Sequence, residues 1–237
     1  MSTVPDRCLH CTVRDESLCA GLRDHELSAL SDIARRRVVA KGQVVVWAGD
    51  RSTICANLVS GVLKLATAMP DGREQTVGLL FAGDFVGDPF QEDATLTATA
   101  LTETDLCVYP RARFEHVLDA HPRLERELLR RTMESLEEAR GRMLTLARRN
   151  AAEKVAGFLL DIAARVPTQK GLDGAQSFDL PISRGEMAEV LGLTIETVSR
   201  QVTALKADGI VSLHGSRGIA ILDRDALARR AGTTPRR

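Results

Sequence analysis

Between residues 49 and 84, glycine turns recur every 11 or 12 residues, at Gly49-Asp50, Ser60-Gly61, Asp71-Gly72 and Gly83-Asp84, with short apolar runs around them such as VVVWA, LVSGVLKLA and VGLLFAG. Turn signals at that spacing between β-rich runs predict an antiparallel sandwich, barrel or jelly roll rather than a parallel sheet. Arg36 to Pro110 therefore reads as a β-roll of the sensor type. The chain has 237 residues, of which 44% are hydrophobic, enough for this roll and one further modest domain.

Both flanks of the roll have a different pattern. Upstream, Leu22 to Ile33 is a short amphipathic stretch. Downstream, from Pro110 to about Val166, a helical period takes over. Leu129, Leu136 and Met143 lie seven apart, Thr132, Ala139 and Leu146 interleave at the same period, and Glu137, Arg140 and Arg142 border them. Two such rows, continued for roughly three heptads, exceed what one small neighbouring domain would cover. The spacing predicts a dimer helix rather than a helix packed on its own roll. Pro167 to Ser177, with Gly171 and Gly174, reads as a linker-like loop.

Cysteine usage points to metal or redox chemistry. Three of the five cysteines, Cys8, Cys11 and Cys19, form a C-x2-C-x7-C cluster near the N-terminus. The opening MSTVPDRC has no apolar run, and no segment approaches the roughly 18 uninterrupted apolar residues of a membrane span. The expectation is a cytoplasmic protein with no membrane partner, where a reducing environment disfavours a disulfide framework. Thiolates at this spacing suit an iron–sulfur or a zinc site, with a fourth ligand elsewhere, and the cluster alone leaves both open. An enzyme using Cys19 or Cys107 as nucleophile has no support, because neither a Gly-rich nucleotide loop nor a triad context accompanies them. With 32 basic and 32 acidic residues there is no global field, so a nucleic-acid surface must be local.

Such a surface is readable in residues 183–208, SRGEMAEVLGLTIETVSRQVTALKAD. Ser183 followed by Glu186 is a capping box that starts one helix, Leu191-Gly192-Leu193 stops it, and Thr194 caps the next. Ala188, Gly192 and Val198 supply the small residue at the crossing, the turn residue free to take positive φ and the apolar lock of a helix-turn-helix. A buried stripe of Ile195, Val198, Val202 and Leu205 leaves Glu196, Ser199 and Arg200 together on another face. Arginine can donate to guanine O6 and N7, glutamate can accept from cytosine N4, and serine can touch base edges or phosphate, so these three are the expected base readers. The competing reading is an intrahelical Glu196–Arg200 pair, worth only about 0.3–0.5 kcal/mol. Ser183, Thr194 and Thr197 are expected to meet the DNA backbone. Beyond them, IVSLHGSRGIAILD alternates as a β-hairpin wing would, with Arg217 at its tip as a phosphate contact.

Taken together, a cysteine-bearing N-terminus, β-roll, long helix and the segment LGLTIETVSRQVTALKADGIV resemble the Crp/Fnr superfamily, and within it the oxygen-sensing FNR, FnrL and FnrN regulators. The resemblance covers nearly the whole chain, and E-T-V-S-R is specific to the FNR/FixK side. It implies an α+β protein: a cysteine-rich iron–sulfur segment (1–21), a jelly-roll, cyclic-nucleotide-binding-like sensor domain (22–110), a dimerisation helix (111–148) and a winged helix-turn-helix (149–237). It also implies a homodimer that reads palindromes related to TTGAT-N4-ATCAA, works with RNA polymerase and controls low-oxygen genes. The family completes a [4Fe–4S] cluster with a cysteine in the β-roll, and TDLCVYP places Cys107 in that context. Cys55, entering a strand in STICANLVSG, is instead expected to be a small core residue.

Two features depart from the better-known members. Seven residues separate Cys11 from Cys19, against five in the enteric proteins, as in the FnrL-like branch. Catabolite-activator-like members hold a cyclic phosphate with a glycine–glutamate turn and an arginine, whereas GDFVGDPFQEDATLTATALTETD has Gly87-Asp88 and no arginine. A buried phosphate without a cation is costly, which disfavours cAMP. The alternative that keeps DNA binding makes the cysteines a structural zinc site or a thiol switch.

Overall fold

A computed structural model describes residues 4–69, 72, 74–170 and 175–233. Asp71 of the third glycine turn, and Gly171 and Gly174 of the expected linker, lie outside the described residues. The chain divides into two compact units, Met1–Glu138 and Ala139–Arg237.

In the first unit, α1 (Asp6–Leu9), a 3₁₀ turn (Arg14–Glu16) and α2 (Asp24–Ile33) precede eight strands. These are β1 (Arg35–Val39), β2 (Val44–Val46), β3 (Ile54–Ser60), β4 (Leu63–Ala68), β5 (Glu74–Leu80), β6 (Phe85–Val86), β7 (Thr97–Ala100) and β8 (Thr104–Pro110). They form two antiparallel sheets of order β1-β8-β3-β6 and β2-β7-β4-β5. Leu58, Leu63, Ala98, Ala100 and Leu106 pack together as the β-roll core. Because side chains alternate across a strand, β8 sends Thr104, Leu106 and Val108 to one face and Asp105, Cys107 and Tyr109 to the other.

That second face of β8 meets the N-terminal segment. Leu18, Leu22, Leu27, Leu30 and Ala34 pack with Cys55, Tyr109, Phe114, Leu118, Leu124 and Leu128, and Cys8, Cys19 and Cys107 lie against this second core. Cys55 is fully buried, as a small core residue should be. The segment fits closely at one turn: Gly83 has φ +94, and a Cβ there would stand 2.9 Å from the Glu16 carbonyl oxygen. Glycine thus serves both the left-handed turn and the backbone approach.

The long helical period is divided in three: α3 (Arg111–Ala120), α4 (Pro122–Arg148) and α5 (Ala151–Arg165). The expected single helix over 111–148 is interrupted because His121 precedes proline, is pushed to φ −132°, ψ 82°, and leaves Pro122 to open the next helix. At the far end Asn150 caps α5 by accepting the Glu153 amide at 3.1 Å. Leu124 and Leu128 of α4 are buried, but Leu129, Leu136, Met143 and Leu146 are 55%, 41%, 66% and 46% exposed. Thr132 is exposed and Ala139 half-buried. Among the described residues, nothing covers most of the heptad stripe.

The second unit continues with β9 (Gln169–Lys170), β10 (Gln176–Asp179), α6 (Arg184–Leu191), α7 (Ile195–Ala207), β11 (Val211–His214), β12 (Gly218–Ile221) and α8 (Arg224–Arg230). The stretch read as a linker therefore carries strand. β9 and β10 join the hairpin in an antiparallel sheet of order β11-β12-β10-β9, and Phe178 of β10 is buried. The glycines in the segment obscured two strands too short to show a period.

Candidate cysteine centre and nucleic-acid interface

Four thiols converge on one hollow of the first unit. Cys8 comes from α1, Cys11 from the turn after it, Cys19 from the loop past the 3₁₀ turn and Cys107 from β8, and all four line a space walled by Leu27, Leu30, Ala34 and Val59. Arg7, Arg14, Arg35 and Arg36 line the same hollow. Cys107 lies on a strand flanked on both sides, with Arg36 of β1 and Asn57 of β3 as its register partners. Cys55 faces Tyr109 in that register and takes no part in the hollow.

Hydrogen bonds hold the sulfurs from beneath. Asn57, 2% exposed in a largely apolar strand, donates through Nδ2 to the Tyr109 hydroxyl at 3.0 Å and to Cys19 Sγ at 3.6 Å. Its Oδ1 is buried with no partner among the described residues. The Cys19 amide donates to Ser17 Oγ at 3.3 Å. Arg7 reaches across to Ser31 Oγ at 2.9 Å, which ties α1 to α2. Arg36 is paired with Asp105. From α4, Arg131 donates to the Ser17 carbonyl at 2.9 Å while also holding Glu127 at 3.1 Å.

Burial disfavours the thiolate at Cys19 and Cys107 in the metal-free chain. Burial pushes the Cys19 thiol up to about 12, opposed by the Ser17 hydroxyl and reinforced by Cys107, Cys8 and Cys11 nearby. Burial likewise raises Cys107, opposed by the Tyr109 hydroxyl. Ligation of a cation must therefore expel protons. Spacing bears on which cation. Four thiolates about a tetrahedral zinc at 2.3 Å would bring their sulfurs to about 3.8 Å of one another. Among the described residues, no three of these sulfurs lie mutually within 4.8 Å; the one group that does so is His25, Glu26 and His121.

The second unit sets out the expected helix-turn-helix. Ser183 Oγ accepts the Glu186 amide at 3.2 Å while Glu186 Oε2 accepts the Ser183 amide at 2.6 Å. Gly192 ends α6 at φ 60°, ψ 45°, and Thr194 Oγ1 accepts the Thr197 amide at 3.2 Å. Ala188, Val198, Val202 and Leu205 are buried. Ile195 is not part of that stripe: it is 48% exposed, because as the first residue of α7 it lies at the rim of the packed face. Glu196 and Arg200 are exposed and Ser199 half-buried. Arg200 directs its guanidinium to Thr197 Oγ1 at 3.4 Å. The Glu196 carboxyl is held below the usual range chiefly by its own backbone amide and the Thr194 hydroxyl, with Arg200 contributing less. Arg217 occupies the β11–β12 turn, its carbonyl accepting the Leu180 amide at 2.9 Å.

Three residues of the centre escaped the sequence. Asn57 left a trace, an amide inside the apolar run ICANLVS. Tyr109 and Arg131 left none.

Comparison with known proteins agrees with this architecture. Residues 36–121 match the cyclic nucleotide-binding domain family and residues 153–230 the Crp-like helix-turn-helix domain family. The chain is 41% identical to the transcriptional activator protein FnrL of Cereibacter sphaeroides over 97% of this chain and 94% of that one. It is 30% identical to the fumarate and nitrate reduction regulatory protein of Escherichia coli, over 96% of this chain and 91% of that one. Among solved structures, FixK2 of Bradyrhizobium japonicum superposes with a TM-score of 0.76 at 28% identity, covering 83% of this chain and 96% of that one. The chain belongs to the Crp/Fnr family of transcription regulators, on its FNR-type branch, and is a DNA-binding regulator rather than an enzyme.

Proposed function

We propose that this regulator senses oxygen through a [4Fe–4S] cluster held by Cys8, Cys11, Cys19 and Cys107, and that it binds TTGAT-N4-ATCAA-like palindromes as a homodimer to control low-oxygen genes. The observation that carries the reading is the meeting of four thiols, three from the N-terminal segment and one from β8, in one arginine-lined hollow. A thiolate-held iron–sulfur group is an anion, which suits the arginines that line the hollow. When bound, such a group supplies an oxygen-labile link between the segment and the roll.

The chain's own residues carry that link onward. Ligation fixes Cys19, and Ser17, two residues earlier, holds Arg131 of α4 through its carbonyl. Leu124 and Leu128 of the same helix share the core against which the cysteines pack. Loss of ligation frees the segment and removes that support from the uncovered stripe of Leu129, Leu136, Ala139, Met143 and Leu146, which in this reading pairs with a second copy. The site biases dimerisation only so far as ligation fits the dimer better than the monomer. Glu196, Ser199 and Arg200 then read base edges in each half-site, and Ser183, Thr194, Thr197 and Arg217 meet the backbone. RNA polymerase and a cytoplasmic setting complete the proposal, as does the four-part division at residues 21, 110 and 148.

Cyclic nucleotide has no place in it. The β-roll hollow lined by Val86, Gly87, Ala94 and Leu96 has Asp88 and Asp93 as its charged lining, the same sign as a phosphate. The test is binding to the palindrome and to a scrambled duplex, at fixed salt, before and after admitting air. Selective binding lost in air is expected; equal affinity for both duplexes in both states would overturn the reading.

A further inference from the structure

Outside the cysteine centre, one cluster of ligand-type side chains is already assembled. We propose that His25, Glu26 and His121 form a second metal site, for a divalent first-row transition ion such as zinc, that clasps α2 to the α3–α4 junction independently of the cysteines. The imidazole nitrogens and a carboxylate oxygen of these three lie within 4.8 Å of one another. Two imidazoles and one carboxylate are the donor set of three-ligand zinc sites, with a fourth position left to water, whereas calcium and magnesium prefer oxygen throughout.

The setting favours a cation. Glu26 is 4% exposed, unlike the solvated carboxylates that cluster on surfaces without consequence. Its Oε2 accepts the Arg23 amide at 2.7 Å, which fixes the carboxylate's orientation before any ion arrives. Asp24 adds a second acidic group to the same helical turn and offsets the positive end of α2. His121 terminates α3, its amide bonded to the Leu118 carbonyl, so the negative end of that helix is directed at the site. His25 is exposed, giving an entry path, and the two rings stand 6.0 Å apart between centroids, inclined at 53°.

Placement gives the site a use. α2 supplies Leu27, Leu30 and Ser31 to the wall of the cysteine hollow, and His121 immediately precedes Pro122 at the foot of α4. An ion there would restrain α2, which walls the cysteine hollow, against the foot of α4, the helix that the N-terminal segment reaches through Ser17 and Arg131, by a route that oxygen does not break.

The experiment uses the full-length protein, purified without oxygen, with Co2+ as the probe and Zn2+ as competitor. Cobalt held by nitrogen and oxygen shows visible d–d bands, whereas cobalt entering the thiol site adds sulfur-to-metal charge transfer in the near ultraviolet, so the two sites are read separately in one titration. The expected result is one Zn2+-displaceable Co2+ per chain without the sulfur band, weakened at least tenfold by His25→Ala and by His121→Asn, with iron content unchanged in both. His25 is exposed, so His25→Ala tests the site without disturbing the core. Absence of a thiol-free cobalt signal in the parent protein, or a signal unchanged by both substitutions, would overturn the site. Iron measured on the same samples shows separately whether the cysteine reading stands.

Discussion

Replacing Cys107 by alanine is expected to abolish retention of iron and acid-labile sulfide and to weaken binding to the palindrome. Cys107 is the one thiol of the hollow that comes from the β-roll, on a strand hydrogen-bonded on both sides, so no backbone shift can substitute another sulfur. Cys55 is the nearest in sequence pattern, yet it is buried against Tyr109, away from the hollow. The fall in affinity should be about 5- to 150-fold, the span of a coupling free energy of roughly 1–3 kcal/mol, because the recognition helices are untouched and only their pairing is lost. Cys55→Ala is the control, with iron content unchanged and at most a modest loss of stability. Iron and sulfide analysis of the two variants, alongside a binding titration, decides. Retention of both metal and affinity by Cys107→Ala would remove that residue from the centre.

The second large effect concerns the proposed base readers. Arg200→Ala should cost about 1–3 kcal/mol on the palindrome and relax preference at the base pair it reads, because a bidentate contact to guanine is lost. Arg217→Ala should weaken binding to every duplex alike and reduce the salt slope by about one, as loss of a phosphate contact does. The structural basis is the difference in placement: Arg200 is exposed near the N-terminal end of α7 beside Glu196, while Arg217 sits in the turn of the wing. Competition titrations against single-base variants of the palindrome separate the two. Equal, sequence-independent losses would mean that α7 does not enter the groove as assigned.

How far each feature could be read in advance follows from the range of the interaction behind it. Helix caps are local, so Ser183, Gly192 and Thr194 were legible from a few residues each and recur in the structure with their hydrogen bonds. The β-roll was legible because its glycine turns are regular. Strands β9 and β10 were not, being two and four residues long beside glycines, and β10, which carries β9 at the sheet edge, pairs with β12 about forty residues away. The division at His121 was signalled by Pro122, but the heptad rows run on through α4 and masked it. Ile195 followed the apolar period and yet lies at the rim, since a period says which face a residue shares and not where the partner surface ends.

The cysteine centre divides along the same line. Cys8, Cys11 and Cys19 could be grouped by spacing, whereas Cys107, 88 positions beyond Cys19, came from family resemblance rather than from any local rule. Asn57, Tyr109 and Arg131 became visible only when β3, β8 and α4 were brought against the N-terminal segment. These long-range contacts are also the ones that give the centre a route to α4.

Oxygen control in this proposal depends on the four cysteines holding an oxygen-labile cluster whose presence favours the dimer. The direct measurement is iron, acid-labile sulfide and visible absorption per chain, together with mass in solution, on protein purified without oxygen and again after air is admitted. About four irons and four sulfides per chain in a dimer, with cluster and dimer lost together in air, are expected. Zinc or no metal, with a mass indifferent to air, would contradict the proposal.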